Sequence, residues 1–513
     1  MSRGERLVTL VLVSLGAQAL IYFAYWWASP GLVANRPLFV LFSIAAWFSA
    51  FRMVANWFAL FHVERPKWRP PRARLRVDVV TTAAPGEPLE MFAATLGAMI
   101  RIRYPHTTTL LDDSGRDELR ALCGELGVRY IRRGRPGVGA KAGNVNAALP
   151  QLGGEYVTIF DPDHIPQAEF LDRTLGYFDD AQVGYVQAAQ SYRNQRESFV
   201  ARGAAEQTYE LYGSTMMGLY GLEAPLLFGC HTTFRRSALD SVGGYAVHNA
   251  EDLRTCMRLI AAGWKGVYVP EVLARGLVPA DMATYLRQQY RWAHSVFDLL
   301  FRDYWRLLPR WSFFQMVAFF MVGTFYFTGA AILINLILPI VFLLSGLIGV
   351  ASTVQSFVVH IAPLALMNLV IRRFGQRFLL RREERGWHLT GMVLLFASCF
   401  AHVAGLIAAI AGTHVPYLVT TKSRQSTGLA RVRPHIAVAA ASVLAVVYSF
   451  WTSQPEAGFM QILALWNAAM MGGAVWIALE EESEAHETLV EGGQAGAARS
   501  LAGDPVVGDP LGR

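Results

Sequence analysis

Tyr156-Val157-Thr158-Ile159-Phe160 is a β-branched and aromatic run with no charge in it, and Asp161-Pro162-Asp163 stops it. A short apolar run of this kind suits a strand covered on both faces. The proline ends the strand and holds two carboxylates close together. Working outward, similar runs at 77–82, 107–111, 128–131 and 184–187 alternate with helical patterns at 89–100, 117–126, 144–152 and 168–178. That alternation predicts βαβ units and a parallel sheet, an α/β domain. Such sheets collect ligand-binding groups where strands end and helices begin. Four clusters fall at places of that kind: Asp112-Asp113, Asp161-Pro162-Asp163, Glu251-Asp252 and Gln288-Gln289-Tyr290-Arg291-Trp292.

The α/β pattern occupies only part of the chain. Of 513 residues, 53% are hydrophobic and 17% charged, and the mean hydropathy is +0.30. This is too apolar for a purely soluble enzyme and too charged for a pure transporter. The net charge of +7 is carried largely by arginine, whose placement orients membrane spans rather than marking a nucleic-acid partner. Cys123, Cys230, Cys256 and Cys399 show no CxxC spacing, so neither a zinc site nor a disulfide framework is indicated. His164, His231 and His294 likewise lack metal-ligand spacing and receive no role.

Apolar runs long enough to cross about 30 Å of hydrocarbon lie at 7–27, 37–61, 329–347, 353–371, 436–451 and 460–479. About six spans put both ends on one side. Arg3 and Arg6, the region 63–310 and the arginine-rich stretch 372–385 then share the cytoplasmic face, while 29–36, 345–352 and 452–459 are short and nearly uncharged. Residues 391–412 would strand a basic flank outside if they crossed, so they read as an interfacial helix, as does 311–327. The predicted domains are an N-terminal transmembrane hairpin (1–69) and a cytosolic domain (70–308). A segment of interfacial helices, two spans and a loop (309–433) follows, then a C-terminal hairpin (434–480) and a disordered tail (481–513).

Each cluster suits a particular chemistry. Asp161 and Asp163 are hard oxygen donors of the kind that bind Mg²⁺ or Mn²⁺ sparingly, leaving positions for substrate phosphates; the same pair suits a helix-capping turn. Asp112 and Asp113 also fit a cap. Residues 132–143 mix Arg132, Arg133, Arg135 and Lys141 with four glycines, which lets backbone and cations approach an anion, or forms a solvated basic loop. Glu251 and Asp252 open an amphipathic run, where a helix N-terminus favours carboxylates even without a further role. Gln288, Arg291 and Trp292, at i, i+3, i+4, share one helical face. There a guanidinium suits a diphosphate and an indole a sugar ring; amphipathic packing gives the same pattern.

Taken in order, Asp112/Asp113, Asp161-x-Asp163, Glu251-Asp252 and Gln288-x-x-Arg291-Trp292 resemble the D, DxD, [TE]D, QxxRW set of processive family 2 glycosyltransferases, bacterial cellulose synthase catalytic subunits in particular. Lys141-Ala142-Gly143-Asn144 resembles the family's KAGN segment, Val186-Gln187 with Gln190 its strand after DxD, and Tyr417-Leu418-Val419-Thr420-Thr421-Lys422 its FxVTxK gating loop. The chain departs from the pattern at Ala250, at Phe228-Gly229-Cys230-His231 and at Thr81-Thr82-Ala83-Ala84-Pro85. Arg424 to Arg433 lead directly into a span, where the best-known bacterial members carry a cyclic-dinucleotide-binding PilZ domain.

The resemblance implies a GT-A type (Rossmann-like) cytosolic domain inserted between transmembrane helices of the inner membrane. It implies that Asp112 and Asp113 contact the nucleotide, that Lys141 and Arg291 balance its diphosphate, and that Asp161 and Asp163 hold Mg²⁺ or Mn²⁺. Glu251 and Asp252 would be catalytic, with Asp252 the general base. Gln288 and Trp292 would position the acceptor, and Tyr417, Val419, Thr420 and Lys422 would close over the donor. The implied activity is inverting polymerisation of a UDP-sugar, UDP-glucose first among them, into a β-glycan moved across the membrane. The implied partners are the growing polysaccharide, lipids and envelope polysaccharide-export subunits. Two other functions fit the same residues: a non-processive transferase adding one sugar to a lipid carrier, and a transporter or scaffold with a degenerate nucleotide-binding domain.

Overall fold

The computed structural model describes residues 1–71, 74–416, 427–452 and 457–501. The gating segment 417–422 lies outside the described residues. Nine strands are described: β1 (Val77–Ala83), β2 (Thr107–Asp112), β3 (Arg129–Arg132), β4 (Tyr156–Phe160), β5 (Ile165–Pro166), β6 (Val183–Ala189), β7 (Thr232–Arg235), β8 (Lys265–Val272) and β9 (Ala274–Arg275). Seven form one sheet in the order β3-β2-β1-β4-β7-β6-β8, and β5 pairs with β9. The sheet is mixed rather than parallel, because β7 runs antiparallel to both β4 and β6. Its four residues are too few to show periodicity, and Pro270 inside β8 disguises that strand as well.

Burial explains the unbroken β4 run. Tyr156 and Phe160 face a core with Phe92, Leu96, Leu110 and Phe170. Val157 and Ile159 face the other side, with Val80, Leu111, Val145 and Phe234. That second core continues into Trp57, Leu60 and Phe319 of the membrane helices, which seats the domain against them. The contact is close: a Cβ on Gly218 would lie 2.1 Å from the Ala59 carbonyl oxygen at the end of the second helix.

Six described helices are long and apolar enough to cross a membrane: Arg3–Trp27, Arg36–Phe61, Phe313–Ser345, Val354–Phe378, Leu429–Thr452 and Ala457–Ser483. The stretch 311–327, expected to lie apart at the interface, instead begins the third of these. At 33 residues it is about 50 Å long, well beyond the hydrocarbon thickness, so its start has room to emerge from the membrane. Residues 391–412 form Leu389–Ala397 and Cys399–Ile410, which meet at a 42° bend. Two nearly uncharged loops pair, with Ala34 N–H donating to the Gly349 carbonyl at 3.2 Å. At the other end of the fourth span, Arg372 binds Glu210 of the α/β domain at 2.7 Å.

Residues 502–513 of the expected tail lie outside the described residues, and the part before them is helical. The last helix runs on from Ala457 to Leu501, carried by Glu and Ala residues of high helix propensity. Glu481 is buried; its carboxylate accepts from Met282 N–H at 2.7 Å and from the Thr427 hydroxyl at 2.5 Å.

Candidate active site

The C-terminal ends of β1, β2, β4 and β6 and the N-terminal end of antiparallel β7 meet at one edge of the sheet. The register sets this: Ala83 lies beside Asp112, Thr81 beside Phe160 and Ile159 beside Thr232. A cavity of about 1130 Å³ opens there, and Asp113, Lys141, Asp161, Asp163, Glu251, Asp252, Gln288, Arg291 and Trp292 all line it.

Asp112 does not join them. It is fully buried and accepts from Ser114 N–H at 2.8 Å, Ser114 Oγ at 2.6 Å, Gly115 N–H at 2.9 Å and Tyr130 OH at 2.6 Å. Its oxygens are thus engaged in closing the turn after β2, and of the two aspartates expected at the nucleotide only Asp113 lines the cavity. Arg133 clasps Asp113 with two N–H groups, and its third group donates to the Val138 carbonyl at 2.6 Å. A Cβ on Gly143 would sit 2.0 Å from that same carbonyl oxygen, so the basic loop closes only over glycine. Asn144 anchors the helix Ala140–Ala148 to β2 by donating to the Leu111 carbonyl at 2.8 Å. That helix begins four residues earlier than its periodicity predicts, from a left-handed Gly139.

Lys141 joins the carboxylate clusters. Its ammonium donates to Asp161 and, at 2.5 Å, to the Gly229 carbonyl. A methyl group built on Gly229 would lie 3.5 Å from Lys141 Nζ and 3.6 Å from Asp252 Cβ. Asp161, Lys141 and Asp252, distant in the chain, are therefore neighbours. Asp161 already attracts one cation, and two oxygen-donor groups, Asp161 and Asp163, border the same space, so the pair fits a hard divalent ion.

Glu251 and Asp252 open the helix Glu251–Ala261. Burial pushes both carboxyls well above the ordinary range. For Glu251 the charge of Asp252 adds to this; for Asp252 the Leu253 N–H bond and then Lys141 pull back, and Asp161 pushes up again. A base with a raised pKa is a stronger proton acceptor once ionised.

Gln288, Arg291 and Trp292 share the cavity face of helix Met282–Asp298. Trp292 is 38% exposed, so core packing does not account for the indole. Gln289, buried beside them, pairs with His402 at 3.1 Å. A Cβ on Gly405 would approach His294 N to 2.8 Å, so the helix Cys399–Ile410 lies nearly backbone to backbone against this one.

Residues 76–295 match the family described as glycosyltransferase like family 2, and residues 240–431 match cellulose synthase. Together the two matches run from residue 76 to residue 431 and support a cellulose synthase-like family 2 glycosyltransferase. A cellulose synthase catalytic subunit (UDP-forming) of Xanthomonas axonopodis pv. citri is 35% identical over 41% of this chain and 30% of its own length. The corresponding subunit of Pseudomonas fluorescens is 29% identical over 52% of this chain and 37% of its own. Cellulose synthase 2 of Novacetimonas hansenii is 26% identical over 70% and 24%. The chain thus spans well under half the length of these relatives. A mannosyltransferase from Pyrobaculum calidifontis, solved with GDP-Man and Mn²⁺, superposes with a TM-score of 0.50 and 17% identity, over 73% of this chain and all of that one. This agrees with a GT-A fold.

Three residues at the site have positions that sequence reasoning does not supply, although Gln187 lies in a strand already singled out by its resemblance. Arg133 reads as one of several loop arginines. Gln187 fixes the segment before β7: its amide donates to the Cys230 carbonyl at 2.8 Å and accepts from Phe228 N–H at 3.0 Å and Thr232 Oγ at 2.7 Å. Tyr245 is buried beside Asp252 and Lys141, and its hydroxyl has no hydrogen-bond partner among the described residues. No local pattern marks it, since only the fold brings it to Gly229.

Proposed function

We propose that this chain is a processive inverting hexosyltransferase that extends a β-linked glycan from a UDP-sugar, UDP-glucose first among the donors, and passes the product between its membrane helices. The observation that carries this reading is the continuity of one cavity. It runs from Asp113, Lys141 and Asp252 past Trp292 to Asn56, Asn335 and Asn368 of the membrane helices.

The uncharged end formed by Thr82 to Pro85, beside Asp113, suits the base and ribose. Lys141 and Arg291 suit the diphosphate, where cationic groups favour its departure. A divalent ion on Asp161 and Asp163, Mg²⁺ or Mn²⁺, would supply further neutralisation of the leaving charge. Asp252 takes the proton from the acceptor hydroxyl as that oxygen attacks the anomeric carbon opposite the diphosphate, inverting an α-linked donor to a β-linkage. Glu251, behind it, is kept protonated by burial and by the charge of Asp252, which leaves the negative charge of the pair on the base. Gln288 and Trp292 hold the acceptor sugar. The bonding of Arg372 to Glu210 and the basic stretch 372–385 support a cytoplasmic catalytic domain on the inner membrane. Export subunits of the envelope are the partners that a growing polysaccharide calls for.

The test is UDP release and polymer formation by the purified protein across a panel of UDP- and GDP-sugars, followed by linkage-specific glycanase digestion. Asp252→Asn should abolish transfer and leave donor binding largely intact; continued polymer synthesis would refute the assigned base. Organic-extractable product in place of high-mass glycan would instead indicate single addition to a lipid carrier, and no release above background would indicate a scaffold.

A further inference from the structure

The segment Phe228-Gly229-Cys230-His231, where the chain departs from its family's wording, lies against the residue that follows the DxD motif. His231 precedes β7, His164 follows Asp163, and the pairing of Ile159 with Thr232 brings the two turns together. His164 Nδ1 lies 2.7 Å from His231 Nε2. With Cys230 Sγ these atoms all fall within 4.8 Å of one another, and all three residues are buried. We propose that His164, Cys230 and His231 form a second metal site, selective for a borderline-soft divalent ion such as Zn²⁺ and separate from the carboxylate pair.

Three features show that the cluster is built. His231 adopts φ +55°, in the left-handed region that non-glycine residues rarely enter; this aims its ring at His164. Its other nitrogen, Nδ1, lies 3.3 Å from the Ala189 carbonyl oxygen. Such a bond orients a ligating imidazole and leaves the opposite nitrogen to bind. A Cβ on Gly276 would fall 2.0 Å from His164 Nε2, so the space for this imidazole exists only because residue 276 is glycine.

The donor set decides the ion. Two imidazoles and a thiol suit Zn²⁺ or Co²⁺ and do not suit Mg²⁺, which takes oxygen ligands. Bonds of about 2.0–2.1 Å to nitrogen and about 2.3 Å to sulfur place tetrahedral donors about 3.3–3.6 Å apart. The two rings must therefore open by about 0.6 Å and the sulfur close by up to about 1.2 Å. The bound ion replaces the hydrogen bond between the imidazoles, and the thiol releases its proton. Cys230 and His164 both border the cavity, so the fourth position faces it and takes water or an oxygen of a bound diphosphate, the open arrangement of three-ligand zinc sites.

The test uses the full chain in detergent, stripped with chelator and dialysed against Zn²⁺ with Mg²⁺ in large excess. One Zn²⁺ per chain is expected by elemental analysis. Cys230→Ser and His231→Gln should each weaken binding by at least about tenfold, while Asp161→Asn leaves it in place. Loading with Co²⁺ should give a thiolate-to-cobalt charge-transfer absorption that Cys230→Ser removes. The wild-type cobalt spectrum decides the matter even where a variant fails to fold. Absence of that absorption, or unchanged zinc content in both variants, would overturn the proposal and leave the histidines as a hydrogen-bonded pair. The site does not depend on which sugar is transferred, so its failure and that of the transferase reading are separate results.

Discussion

Lys141 and Asp161 form an ion pair on the cavity wall, and the same ammonium reaches the Gly229 carbonyl. One cation thus ties the DxD turn to the segment before β7 that borders Asp252. Lys141→Met should lower kcat/KM for the donor by about 10²–10³-fold. It should also move the acid limb of the pH profile upward, because Lys141 holds the Asp252 carboxyl down. A profile of UDP release against pH for the two proteins measures both.

Burial raises the Asp252 carboxyl, and a general base works only when ionised. Activity should therefore rise with pH through a midpoint above the roughly 3.9 of an ordinary aspartate. A midpoint at or below that value in the metal-loaded, donor-saturated enzyme would remove Asp252 from the role.

The same shift has the opposite sign for stability. Between the unfolded and the raised folded values the native state binds more protons, so this stabilisation is complete below the unfolded pKa and is lost as pH rises through the folded one. Glu251→Gln and Asp252→Asn should therefore raise the melting temperature of the ligand-free protein, and by more at pH 8 than at pH 5. Thermal unfolding at the two pH values checks the sign.

Asp112 and Asp113 should separate in donor binding. Asp112→Ala strands the Ser114, Gly115 and Tyr130 donors and should cost about 2–4 kcal/mol of stability, with donor KM nearly unchanged in the folded fraction. Asp113→Ala should raise donor KM as well as lower the melting temperature, because it leaves the buried Arg133 guanidinium unpaired. Chemical denaturation beside donor titration distinguishes them.

Gly143→Ala places a methyl group against the Val138 carbonyl that Arg133 holds. Destabilisation of about 1–3 kcal/mol is expected, together with weaker donor binding, because Arg133 in turn fixes Asp113.

The strand ending in Asp161-Pro162-Asp163 was legible because every side chain from Tyr156 to Phe160 is buried, so the run carries no polar interruption. Helix Asp117–Leu126 was equally plain, with acidic residues in its first turn and a left-handed Gly127 at its end. The short β7 had no such signal: its direction depends on pairing with strands 50 and 75 residues away in the chain, which no local periodicity records. The continuation of the last helix was missed for a related reason. Glu481 reads as one more charge in an acidic run until Met282 and Thr427 are seen to hold it.

Residue order alone thus established the family resemblance, the membrane helices and the clusters from which the site is drawn, because hydrophobic period and motif spacing are local quantities. It could not separate Asp112 from Asp113, assign Lys141 to Asp161, or bring His164 to Cys230 and His231. Those depend on burial and on which buried donor meets which acceptor, and both come into being only when the chain closes on itself.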